Sequence, residues 1–276
     1  MNEALIRNLR LAIIYVLLAF GALIILFPLT WAATSALKPN DQVFKVPMEW
    51  IPRSLEWMNF VRPFQEKPFA QYFGNSIFAA LISVLLTIVI ASLAGFSLAK
   101  YHYFGKSLVF IAILSTLMLP VQVILVPLYL VVRDLGWLDT YQGLIIPQAV
   151  NAFSIFLMRQ HIMSIPDDYI EAARLDGASE LGILWRVILP MSRPSLAAVT
   201  IFSFLASWDS YVWPLVVVTK EQFRTLPLGL SLFFSEYSSD YGQALAAALL
   251  IMLPLLILFI LLQRHFVEGL TRSGLK

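Results

Sequence analysis

The chain has 276 residues, of which 59% are hydrophobic and only 13% charged, with a formal net charge of +2. A soluble domain of this size carries about a quarter of its residues as Asp, Glu, Lys and Arg, so the composition excludes an ordinary soluble domain and points to a membrane protein. With no cysteine, no GxxxxGK[ST] loop and no basic run longer than two residues, it also excludes disulfides, thiol catalysis, phosphate-loop nucleotide binding and a nucleic-acid partner.

A helix needs about 20 mostly apolar residues to span a bilayer, and spans must be helical because lipid offers no partner to a free backbone group. Six stretches qualify: 11–31, 75–99, 107–132, 141–159, 195–219 and 241–263. The first follows Arg7 and Arg10 and precedes the small residues Ala32, Ala33, Ser35 and Ala36, which also fits a cleaved signal peptide. Its apolar core exceeds the roughly 7–15 residues of such a peptide and ends on an interfacial Trp31, so a retained span is expected. Residues 38–71 hold Pro39, Pro47, Pro52, Pro63 and Pro68 and read as an ordered irregular cap. Pro120, Pro127, Pro147, Pro214 and Pro254 lie within spans, where kinks or local unwinding follow. No internal repeat or low-complexity segment interrupts 1–276, which is expected to be one transmembrane domain.

Six spans put both termini on one side. If that side is the cytoplasm, the inner segments hold eleven of the 19 basic residues and the outer segments eight, a small bias of the expected sign. Segment 160–194 is then a cytoplasmic loop. Its stretch "EAARLDGASELGILWRVILP", 171–190, is charged where its neighbours are not. Pro166 suits a helix start, and Asp167, Asp168 and Glu171 suit its positive end. Gly177, after Asp176, fits the left-handed residue that closes a helix. Ser179 is placed to cap a second helix, which Pro190 is expected to end. Ala172 and Ala173 give the first helix a small-residue face. Two accounts stay open on this physics alone: an interfacial hairpin that merely connects two spans, or a docking site for a cytoplasmic partner.

The pattern EAA, three residues, Gly, nine residues, Ile, one residue, Leu-Pro marks the membrane subunits of ABC-type importers. Here Glu171-Ala172-Ala173, Gly177, Leu189 and Pro190 match, and Val187 stands for the usual Ile. "SALKP", "NSIFAA", "GFSLAKYHYFGK" and "QRHFVEGLTRSGLK" extend the resemblance over nearly the whole chain. It is closest to the smaller permease of maltose-type sugar importers. The resemblance implies an all-α membrane protein with the type I ABC importer permease fold, six transmembrane helices and a cytoplasmic coupling-helix hairpin. It further implies residence in a prokaryotic inner (plasma) membrane, a second homologous permease, homodimeric or heterodimeric ATPase subunits that carry the ATP and Mg, and an external solute-binding protein. No cofactor is implied on this chain itself. Glu171 and Gly177 are the residues carried over for ATPase coupling, with Ala172, Ala173, Arg174, Asp176, Leu189 and Pro190 around them. Arg174 is placed to hold Glu171 by an i,i+3 contact.

His102, His161 and His265 have no metal-ligand spacing and suit polar interfaces. Glu236 and Asp240 suit a solvated loop. Among polar residues in spans, Asn75, Gln122, Gln148, Asn151 and Asp209 stand out. Helix–helix hydrogen bonding is one role for them, and lining a solute path the other. Asp209, in "ASWDSYVWP", stands where the family usually shows Asn. It lines a path with Trp208, Tyr211 and Trp213 on one account and is structural on the other. No carboxylate pair suggests hydrolysis, so a non-catalytic permease is expected. An ion-coupled secondary transporter is the competing expectation, with Asp209 as its one intramembrane ionisable group.

Overall fold

The computed structural model describes residues 3–231 and 240–273, with side chains over 7–231 and 240–263. His265, Glu236 and the side chains of "RHFVEGLTRSGLK" therefore lie outside the described residues. The principal helices are α1 (Glu3–Ala36), α2 (Phe69–Lys100), α3 (Lys106–Thr116), α4 (Val121–Asp134), α5 (Tyr141–Ala149), α6 (Ala152–Met163), α7 (Asp168–Leu175), α8 (Glu180–Met191), α9 (Arg193–Trp208), α10 (Val212–Val217) and α11 (Tyr241–Ser273). No strand occurs among the described residues. Three helices, α1, α2 and α11, are each long and apolar enough to cross a membrane alone, and three bent pairs raise the number to six if each pair is one span.

The chain divides into two compact units, Met1–Pro68 with Leu230–Leu253, and Phe69–Gly229 with Pro254–Lys276. In the first, α1 leads into the proline-rich segment. That segment is not wholly irregular: it holds short helical turns at Asn40–Val43, Trp57–Phe60 and Arg62–Glu66, and side chains claim backbone groups between them. Asn59 donates to the carbonyls of Ala36 and Lys38, both at 2.9 Å, and Asn40 accepts from the Tyr241 amide at 2.8 Å. Such groups must be paired where water is scarce. Lys38 is 1% exposed and its Nζ has no hydrogen-bond partner among the described residues.

In the second unit α2 is the spine. Its 32 residues extend about 48 Å, more than a bilayer core. Small residues let α6 lie against it: a Cβ on Gly95 would come within 2.9 Å of the Met158 Cβ. At the Lys100 end, Phe96, Leu98, Met158, Ile162, Ile170, Ile183, Leu184 and Ile188 form one buried cluster. Toward the Phe69 end, Ala79, Val132, Leu144, Ile145, Trp213, Val217 and Leu228 form another.

The spans expected as single helices at 107–132, 141–159 and 195–219 are broken. α3 and α4 meet at 103° and α5 and α6 at 42°. Pro120 explains the first break, since it lacks an amide and keeps the residue before it out of the helical region. At the second, the Ala149 carbonyl freed by the bend accepts from the Thr87 hydroxyl at 2.8 Å, and Asn151 caps α6 by accepting from the Ser154 amide at 3.0 Å. Third, α9 stops at Trp208 and α10 begins at Val212, ahead of Pro214.

One local expectation fails. Pro190 does not end the second arm: α8 runs on to Met191 and turns by 87° into α9 at Ser192. Residues Leu184–Ile188 are π-helical, with the Leu189 amide reaching back to the Leu184 carbonyl. That wider turn moves the preceding carbonyls out of the way of the proline ring, so the clash that normally stops a helix is relieved.

Candidate functional site

The charged stretch folds as a helical hairpin, α7 and α8, at the Lys100 end of α2. Asp168 and Glu171 fall in the first turn of α7, where carboxylates oppose the positive end of the peptide dipoles. α7 closes with paired bonds, Gly177 amide to Arg174 carbonyl at 3.0 Å and Ala178 amide to Ala173 carbonyl at 2.9 Å. This closure needs a left-handed residue, and Gly177 has φ +79° with open space around its α-carbon. Ser179 caps α8 by accepting from the Gly182 amide at 3.2 Å.

The two faces of the hairpin differ. Underneath, Ile170, Ile183, Leu184, Ile188 and Leu189 are buried and Val187 packs against them. Thus the apolar positions of the motif anchor the hairpin. The outer surface carries Glu171, Ala172, Asp176 and Gly177, all exposed. Leu175, 89% exposed, and Leu181, 60% exposed, share it. Sequence reasoning passed over both leucines. Their signal was there: large apolar residues beside a polar turn, off the buried face.

Arg174 does not hold Glu171. It spans the turn to Glu180, Nε to Oε1 at 2.8 Å and a second guanidinium nitrogen to Oε2 at 3.2 Å. A forked contact to both carboxylate oxygens outcompetes a single i,i+3 contact. The Glu171 carboxylate is left exposed, with no partner among the described residues. The Tyr101 hydroxyl also donates to Glu180. Arg174 first, then Tyr101, holds the Glu180 carboxyl below the usual carboxylate range. Asp167, just ahead of α7, takes a 2.7 Å bond from the Lys100 Nζ, and that ammonium lowers its pKa. His161 lies 3.2 Å from the Met191 carbonyl, a polar contact across the hairpin's exit.

The proposed path residues separate. Trp208 is 1% and Trp213 7% exposed. Trp208 packs against Phe73 and Phe204, and Trp213 donates to the Gly143 carbonyl at 3.0 Å. Both belong to the chain's own interior, because a large ring with one polar edge is best satisfied there. Asn151 places its side-chain oxygen on its cap. Asn75 donates to the carbonyls of Gln222 and Arg224 at 2.9 and 2.8 Å and accepts from Tyr141 at 2.7 Å, so it ties elements together. Gln148 donates to the Leu144 carbonyl at 3.3 Å. Asp209, Tyr211 and Gln122 are exposed, and Asp209 makes no side-chain bond among the described residues.

Asp139 near the Phe69 end escaped the sequence. At φ 55° it accepts from the Thr219 amide at 2.6 Å, the Thr219 hydroxyl at 2.7 Å and the Lys220 amide at 2.8 Å. Burial alone would raise its pKa, but these bonds and the Lys220 charge outweigh that and lower it. Asp240 caps the Gln243 amide at 3.0 Å.

A model of the binding-protein-dependent transport system inner membrane component family matches residues 87–272. The chain belongs to this family. It is 34% identical over 261 residues to an arabinooligosaccharides transport system permease protein of Halalkalibacterium halodurans, covering 94% of each chain. To an sn-glycerol-3-phosphate transport system permease protein of Yersinia enterocolitica it is 34% identical over 267 residues, covering 94% of this chain and 95% of that one. Among solved structures it is similar to a chain of a bacterial ABC transporter involved in the import of the acidic polysaccharide alginate, with a TM-score of 0.83, 26% identity, and 96% and 99% of the two chains covered. The fold is that of an ABC importer permease, and the chain is a non-catalytic, multi-pass membrane subunit.

Proposed function

We propose that the chain forms, over its whole length, one six-span permease domain and half of the translocation pathway of an ATP-driven importer for a sugar or sugar-like solute. Both termini lie in the cytoplasm. Its partners are a second homologous permease, paired ATPase subunits that hold the ATP and Mg, an extracytoplasmic binding protein, and the surrounding lipid. ATP-driven closure of the ATPase pair moves the hairpin, and the pathway alternates between outward and inward access.

The observation that carries this reading is the two-sided hairpin. An apolar underside is locked into the helices, while the outer surface offers an unpaired Glu171, small Ala172, and Leu175 on a turn fixed by Gly177. A mere connector has no need of an exposed unpaired carboxylate beside exposed leucines. The relatives that carry arabinooligosaccharides and glycerol phosphate in their names support the solute class. Asp209, Tyr211 and Gln122 are the remaining candidates for the path, where a carboxylate accepts hydroxyl hydrogen bonds. Family membership favours this mechanism over ion coupling.

Expression with its operon partners tests the reading. The chain should co-purify with an ATPase, and Glu171→Lys should leave insertion intact while the ATPase is lost. Asp209→Asn should assemble normally and change solute preference or rate. A Glu171→Lys complex that forms and transports as the parent does would sink the docking assignment.

A further inference from the structure

Residues 100–106, KYHYFGK, join α2 to α3 and make more polar contacts than a connector requires. Lys100, with its side chain 7% exposed, reaches Asp167, which is 70% exposed, at 2.7 Å, and also donates to the Ile165 carbonyl. That fixes the start of α7. Tyr101 donates to Glu180, the first residue of α8. The same carboxylate takes both nitrogens of Arg174 from α7, so one side chain joins the end of α2 to both arms. Lys106 folds the segment onto itself, donating to the Tyr101 carbonyl at 2.8 Å. Arg159 of α6 donates to the Leu98 carbonyl at 3.1 Å and lies 3.9 Å from the Phe110 ring centroid, binding α6 and α3 to the same place.

The apolar cluster beneath the hairpin already holds it against α2. Apolar contact is non-directional, however, and lets packed surfaces slide. Hydrogen bonds to charged groups fix direction as well as distance. Two such ties, one on each side of the Gly177 turn, remove the hinge that a loop would otherwise provide.

We propose that Lys100 and Tyr101 are positioning residues that make the hairpin a rigid extension of α2, so that a partner displacing the hairpin moves α2 instead of bending the loop. This rests on the coupling reading above. Lys100 and Tyr101 bond to Asp167 and Glu180 and make no bond to Glu171, so removing them leaves the Glu171 carboxylate in place and tests stiffness apart from docking. Tyr101→Phe removes one hydroxyl, and Lys100→Met one ammonium. Lys100→Arg keeps the charge beside Asp167.

The absence of cysteine allows a single spin label at an Ala178→Cys site on the hairpin turn. In the permease reconstituted alone, Tyr101→Phe and Lys100→Met should each raise the mobile fraction of the label about threefold or more, since each loses a bond to a charged group, and Lys100→Arg should leave it unchanged. In the assembled importer, a cysteine at exposed Leu81 on α2 should change its thiol reactivity when a non-hydrolysable ATP analogue and magnesium are added. Tyr101→Phe should shrink that change about threefold while ATPase docking stays within about twofold. An unchanged label in both Tyr101→Phe and Lys100→Met overturns the rigidity claim. An undiminished response at Leu81 in Tyr101→Phe, or loss of docking with an unchanged label, overturns the transmission claim. Glu171→Lys separates the premise: if it docks normally, the coupling reading fails and takes transmission with it, while the label in the permease alone still judges rigidity.

Discussion

Gly177 lets the coupling reading be tested by a graded series. Its φ of +79° lies in the left-handed region, and nothing stands within 4 Å of the position a Cβ would take. A substitution there therefore meets no neighbour, and its whole cost is conformational. For an ordinary L residue that cost is roughly 1–2 kcal/mol, and Asn is the non-glycine residue that bears it best. At about 1.4 kcal/mol per factor of ten, Gly177→Ala should reduce the population of the native turn about five- to thirtyfold relative to a flexible alternative. Gly177→Asn should cost several-fold less and the β-branched Gly177→Val more. The two bonds that close α7 onto the Gly177 and Ala178 amides depend on this turn, as does the placing of Ala172 and Glu171 beside it. Affinity for the ATPase, titrated against permease in nanodiscs, should fall in the order Gly, Asn, Ala, Val. Insertion and helix content by circular dichroism should not change. Equal affinities for Gly177→Ala and the parent, or Gly177→Asn binding worse than Gly177→Val, would refute the turn as the element that presents the docking surface.

Two further outcomes follow from polar groups away from the hairpin. Asp139 holds Thr219 and Lys220 through a carboxylate whose pKa is lowered from its usual 3.8, so its contribution is present at neutral pH and is lost as pH falls through the folded value, below about 4. Hydrogen exchange at the Thr219 and Lys220 amides should quicken in that acid window, and in Asp139→Asn it should be quick and nearly pH-independent after correction for intrinsic rates. Lys38 is buried, and its Nζ has no partner among the described residues, a costly arrangement. Lys38→Met should raise the melting temperature of the isolated permease by roughly 2–4 °C for each kcal/mol relieved. A lowered midpoint would mean that the ammonium is satisfied by a group of its own chain in detergent.

What the sequence made legible was whatever depends on near neighbours. Apolar runs marked helices, Gly177 and Ser179 marked the hairpin's turn and cap, and Pro120 and Pro214 lie at or near breaks, while Pro127, Pro147 and Pro254 stand inside helices. Contacts between distant segments were not legible. Arg174 chose Glu180 over Glu171 because the turn at Gly177 brings α8 back within reach. Tyr101 and Lys100 find Glu180 and Asp167 more than sixty residues away, and nothing local in KYHYFGK announces that. Trp208 and Trp213 looked like an aromatic path because they flank Asp209 in sequence. They point inward because α9 stops and α10 starts afresh at Tyr211, which rotates neighbours onto different faces. Pro190 misled for a related reason: a π-helical turn upstream absorbs the ring.

The helix breaks themselves sort the polar residues of the spans. At the bend between α5 and α6, Thr87 takes the freed Ala149 carbonyl and Asn151 takes the Ser154 amide. Those two bonds close the break within the chain. At the break between α9 and α10, Asp209 is exposed and unbonded, with Tyr211 exposed beside it. Just past the bend between α3 and α4, Gln122 is likewise exposed and unbonded among the described residues. A carboxylate facing hydrocarbon at that depth would cost about 2.5–3.5 kcal/mol or more. These groups therefore call for protein or water beyond the described residues. The second permease proposed above, enclosing an aqueous route, would supply them. On this logic a polar residue in a span is a candidate for the path only after its hydrogen bonds within the chain have been counted. Asn75, with three bonds inside the chain, fails that count, Gln148 and Asn151 are each partly engaged, and Asp209 and Gln122 pass it.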